Sequence, residues 1–155
     1  MIKIFENISF FAKDRQHLEE QRKLITECIF NLPQHQTQVF CTNYIDLYKP
    51  INIPVLPIKI AKLCTGTFIV DDFFMFNLVR RFTNYSKILF LMKQEYWSKL
   101  NYVNYEQLKE IFCSAKTHYI VNSVISQKTF TNAWGHSPIC IERELDYEKI
   151  SHLLF

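Results

Sequence analysis

Two adjacent carboxylates close the apolar run "TFIVDDFF", Asp71 and Asp72. Side by side at the end of a buried strand, such a pair can hold a divalent cation, or one member can act as a general base because each raises the other's proton affinity. The plainer expectation is that one of them caps a helix over Phe73–Arg81 and the other is a solvated charge. A third carboxylate, Glu95, follows the apolar run "KILFLM". It would serve as a base or a substrate contact, or as a loop anion paired with Lys93 or Lys99. Asp71, Asp72 and Glu95 are the candidate catalytic residues.

Other chemistries find less support. The histidines at 17, 35, 118, 136 and 152 have no ligand spacing, so no metal site is expected. The five cysteines are far apart and include no CxxC pair, so neither a zinc knuckle nor a disulfide framework is expected, and a reducing cytoplasm fits best. No GxSxG string supports hydrolase chemistry. Only two glycines occur in 155 residues, which excludes a glycine-rich phosphate loop and an ordinary dinucleotide fingerprint, and no cofactor is expected.

Composition points to a folded core: 48% of residues are hydrophobic, and 14 are phenylalanine. The net charge of +3 is mild and its basic residues are scattered, so nucleic acid is a weakly supported partner. No segment has the length of a membrane span, and the first residues lack the apolar core of a signal peptide.

These residues need elements to position them. The apolar runs at Ile2–Phe5 (extending toward Phe11), Gln38–Thr42, Thr67–Val70, Lys87–Met92, His118–Val121 and Pro138–Ile141 read as short buried strands. Between them lie amphipathic helices: Arg15 to about Phe30 with Asp14 as cap, Phe74–Phe82, one opened by Asn104, one after Ser123, and a last one capped by Asp146. Pro50, Pro54 and Pro57 argue for an extended loop between the second and third of these strands, followed by a short helix at Ile58–Cys64. Alternating strands and helices imply one α/β domain over residues 1–155, a three-layer Rossmann-like arrangement with a mostly parallel sheet. Ligands of such sheets bind beyond the carboxyl ends of the strands. That rim comprises Asn7–Gln16, Thr42-Asn43, Asp71-Asp72, Lys93–Glu95 and Asn122-Ser123.

Three segments then carry a resemblance. "IKIFENISFFAKDRQHLEEQRKLI", "KILFLMKQEYW" and "AKTHYIVNSVISQKTFTNAWGHSPICIERELDYEKI" resemble the opening, middle and closing parts of the N-terminal, acceptor-side half of two-domain (GT-B type) glycosyltransferases. The first loop lacks the family's glycines, and the sequence stops where the family's donor-binding domain begins. The resemblance implies an acceptor-binding domain that works with a partner subunit, or a degenerate copy. A catalytic version would transfer sugar from a nucleotide sugar to an acceptor. Asp71, Asp72 or Glu95 would be the base. Lys13, Arg15 and Lys93 would meet phosphate or acceptor charge, and Asn43, Asn122 and Ser123 would hydrogen-bond the acceptor. The competing expectation is a non-catalytic interaction or inhibitor protein, of viral type, that binds a host protein. Either implies a protein partner or a homo-oligomer.

Overall fold

The computed structural model describes residues 7–42, 53–92, 105–142 and 144–154. Seven strands form one sheet: β1 (Ile8–Ala12), β2 (Thr37–Cys41), β3 (Val55–Pro57), β4 (Thr67–Val70), β5 (Lys87–Met92), β6 (Thr117–Val121) and β7 (Ile139–Cys140). Their order is β3-β2-β1-β4-β5-β6-β7, and every pairing is parallel. Among the described residues five α-helices accompany them: α1 (Arg15–Asn31), α2 (Phe73–Val79), α3 (Tyr105–Phe112), α4 (Val124–Trp134) and α5 (Tyr147–Leu154). The fold is the expected three-layer, Rossmann-like α/β arrangement.

The period-two alternation of side chains divides the strands between two cores. On one face Ile8, Phe10, Ile69, Leu89, Leu91 and Ile120 pack with Leu18, Ile25 and Cys28 of α1 and with Ile150 and Leu154 of α5. On the other, Phe11, Phe40, Phe68 and Phe90 meet Phe76 of α2, Phe112 of α3 and Phe130 of α4. Phe76 stacks on Phe90 with ring centroids 4.3 Å apart. The division has a topological cause. The step from β1 to β2 runs one way along the sheet, and those from β4 through β7 run the other way. Right-handed crossovers then place α1 on one face and α2, α3 and α4 on the other.

Helix starts are fixed by side-chain acceptors. Asp14 accepts from the His17 N–H at 2.9 Å, Asp72 from Met75 at 2.9 Å, Ser123 from Ser126 at 3.0 Å and Asp146 from Lys149 at 3.0 Å. α5 is tied back to the first part of the chain. The Tyr147 N–H donates to Glu27 Oε2 at 2.9 Å, and Thr67 Oγ1 donates to the Leu154 carbonyl at 2.8 Å.

Some expectations need correction. The proline-rich stretch contains a strand, β3, where an extended loop was expected. Its three residues pair with β2 alone, at the sheet edge, where a proline that cannot donate leaves no ladder bond broken. The short helix after it is a 3-10 helix, Ile58–Leu63. α3 starts at Tyr105, which is 55% exposed, and its buried residues are Leu108, Ile111 and Phe112. The first strand's expected start at Ile2 and the cap residue Asn104 lie outside the described residues.

Gly66 sets the entrance to β4. Its φ is +92°, and a Cβ there would stand 2.1 Å from the Asn7 carbonyl oxygen. The chain needs that approach, because the same carbonyl accepts from the Thr67 N–H at 2.9 Å. Gly66→Ala combines backbone strain with a backbone clash, so it should lower unfolding stability by about 3 kcal/mol or more. Urea denaturation measures this, and a midpoint close to wild type would contradict the geometry.

Candidate functional site

The strand order reverses at β1. The chain moves outward from β1 to β3, then returns to lay β4 against the other side of β1. Connections leaving the carboxyl ends of these two strands diverge to opposite faces, which opens a crevice between them. The residues at that point are Lys13 and Asp14 after β1, and Asp71 and Asp72 after β4.

The two aspartates have separate roles. Asp72 caps α2 through Oδ1 and pairs with Lys13 Nζ through Oδ2 at 3.0 Å. That hydrogen bond to Asp72 holds the Lys13 ammonium above its ordinary value. Asp71 is buried, not the solvated charge expected of one of the pair. Its Oδ1 accepts from His17 Nε2 at 2.5 Å and from Gln21 Nε2 at 3.1 Å.

Local sequence explains how these partners arrive. With Asp14 as cap, His17 is the third residue of α1 and Gln21 lies one turn further along the same face. Both side chains turn toward the end of β4. The Lys13 backbone N–H donates to His17 Nδ1 at 3.0 Å. A backbone amide can only donate, so Nδ1 carries no proton and Nε2–H faces Asp71. The Gln21 amide is fixed in the same way, since Nε2 also donates to the Phe11 carbonyl at 3.0 Å.

Asp71 separates two clefts. The larger, about 430 Å³, runs between α1 and a wall that includes Ile141, Glu142, Glu144 and Leu145. Its floor is apolar, formed by Phe10, Ile69, Leu91 and Ile120, and Asp71 and Asn122 stand at the strand ends. Lys23 Nζ lies 3.7 Å from Glu144 Oε1, linking α1 to that opposite wall. The smaller cleft, about 240 Å³, lies among Lys13, Asp14, His17, Asp71 and Asp72.

Of the candidate residues, Asp71, Asp72 and Lys13 therefore come together, and Asn122 joins Asp71 in the larger cleft. Ser123 is occupied as the cap of α4, also donating its hydroxyl to Ser126 Oγ at 2.9 Å. Arg15 is exposed at the first position of α1 and lines neither cleft. Asn43, Lys93 and Glu95 lie outside the described residues. Among the described residues no group of three His, Cys, Asp or Glu side chains could hold a metal ion.

No protein-family model, curated protein or solved structure matches this chain. The site must be judged on its own chemistry.

Sequence reasoning missed His17 and Gln21. Histidine spacing pointed nowhere because the partner of His17 lies 54 residues away. One signal was available: Asp14 as helix cap puts residues 17 and 21 on a single face, and both are polar where α1 should bury itself. His17→Ala leaves the buried Asp71 carboxylate and the Lys13 N–H short of a partner, and should cost about 3 kcal/mol. In a double-mutant cycle with Asp71→Ala, unfolding free energies should show a coupling of about 2 kcal/mol. Additive effects would mean that the bond contributes nothing.

Proposed function

We propose that the chain is a glycosyltransferase-like domain that binds the acceptor of a sugar-transfer reaction and works with a donor-binding partner. One observation carries this reading. A buried carboxylate, oriented by a histidine and a glutamine, stands at the end of an apolar cleft where the sheet reverses. A hydroxyl-bearing acceptor seated in this cleft would bring its hydroxyl to Asp71. Asp71 takes the proton as that oxygen attacks the anomeric carbon of the sugar. The bond from that carbon to the donor's phosphate oxygen breaks, and the nucleotide leaves with the electron pair. The His17 and Gln21 hydrogen bonds keep the carboxylate in place. Asn122, at the end of β6, hydrogen-bonds the acceptor. The nucleotide-sugar donor comes with the partner. The described clefts offer its phosphates little, since Lys13 is already paired with Asp72.

A cytoplasmic setting accords with five cysteines that form no disulfide. Among the described residues no helix is long and apolar enough to cross a membrane. A second reading, a non-catalytic interaction protein, is favoured by Phe74 and Leu78, exposed one turn apart on α2 at 63% and 44%.

Thermal unfolding with a panel of alkyl glycosides tests the acceptor reading. A glycoside seated in the cleft raises the midpoint, because it binds only the folded state. Asn122→Leu should abolish that rise, measured against the variant's own ligand-free midpoint. A folded wild-type protein whose midpoint no glycoside moves would contradict the reading. With donor partner and acceptor in hand, Asp71→Asn should slow transfer about 100-fold or more.

A further inference from the structure

The two nitrogens of the His17 ring differ in what a proton does to them. Nε2 faces Asp71 Oδ1 at 2.5 Å and donates whether the imidazole is neutral or charged, and a charge strengthens that bond. Nδ1 accepts from the Lys13 backbone N–H at 3.0 Å, which only the neutral ring can do. A second proton on the ring would set two N–H groups against each other. One bond must then give way, and it is the one to Lys13, since the bond to the carboxylate is charge-assisted.

Lys13 is the residue through which that break spreads. It stands in the turn from β1 to α1, and its polar groups are tied to three other elements. The N–H holds His17 of α1, and the ammonium meets Asp72 at the start of α2 at 3.0 Å. The carbonyl accepts from Thr42 Oγ1 at 3.1 Å and from Cys41 Sγ at 3.5 Å, both at the end of β2. The His17 side chain is buried but lines the smaller cleft, so solvent protons reach it. Among the described residues, the charged groups that share this cleft are Lys13, Asp14 and Glu20, and Asp71 and Asp72 from the turn into α2. Asp14 caps the helix through the His17 backbone N–H at 2.9 Å, a bond that protonation of the ring leaves in place.

We propose that His17 is a proton-operated latch on the turn from β1 to α1. The neutral imidazole ties Lys13 to the helix, and the imidazolium releases Lys13 while keeping its hold on Asp71. The smaller cleft then has two forms, one with the turn fastened and one with a backbone donor freed at Lys13. The latch needs neither an acceptor nor a partner, and it stands independently of the sugar-transfer reading.

A pH titration by NMR on the full chain, labelled with nitrogen-15, tests the latch. The His17 ring nitrogens report its protonation. Amide exchange at Lys13, divided by the intrinsic rate at each pH, reports whether the turn is fastened. As pH falls, protection at Lys13 should drop about tenfold in step with His17 protonation, while the His17 amide, held by Asp14, keeps its own. In His17→Gln the step should vanish; should that variant not fold, the coincidence of the two wild-type titrations, or its absence, decides. Protection at Lys13 that is unchanged as His17 takes its second proton would overturn the inference. So would a ring that stays neutral until the protein unfolds. A step of the same size in His17→Gln would belong to Asp14 or Asp72 and would overturn it as well.

Discussion

The hydrogen bond from His17 to Asp71 spans the two strands where the sheet changes direction, and the polar side of the molecule is arranged around it. A buried carboxylate is tolerable only when its charge is met by donors. Here two donors come from successive turns of α1, and the histidine is held by an amide of the segment that leads into that helix. The cap at Asp14, the end of β1 and the end of β4 are thereby locked into one geometry. Loss of any member leaves another buried group unsatisfied.

The two cores make that geometry rigid. Ile69 and Val70, the last residues of β4, point to opposite faces and are held by different helices, so Asp71 emerges from a strand clamped on both sides. Gly66 fixes where that strand begins, and the Thr67 hydroxyl ties it to the last turn of α5. α5 in turn reaches Glu27 of α1. The helix that carries His17 is thus braced at both ends, by its own cap and by the end of the chain. Such support is what a site requires when one carboxylate must be placed to within a fraction of an ångström.

The layer arrangement was legible because short apolar runs such as Lys87–Met92 and cap residues such as Asp14, Ser123 and Asp146 follow local rules. β3 escaped because prolines argue against a strand unless its position at the sheet edge is known, and edge position is a tertiary fact. Much of the rim was legible as well, since strand ends in a parallel sheet must face one side, and Asp71 and Asn122 were found there. Of the expected Asn7–Gln16 stretch, however, Asn7 precedes β1 and residues 8–12 form it, so the rim begins only at Lys13. The division of labour between Asp71 and Asp72 was not. Adjacent residues at a strand end point in different directions, and only the packed structure decides which is buried. His17 was hidden for a related reason: its meaning depends on a partner brought close by strand order, not by spacing along the chain.

The most direct measurement is the protonation pattern of the His17 ring, read by nitrogen-15 NMR of histidine-labelled protein with His17→Gln used for assignment. Nε2 should carry a proton protected from exchange with solvent, and Nδ1 should show the shift of an unprotonated nitrogen that accepts a hydrogen bond. A protonated Nδ1, or an Nε2 proton in fast exchange with water, would mean that Asp71 is not held by His17 and that the site does not have the construction described.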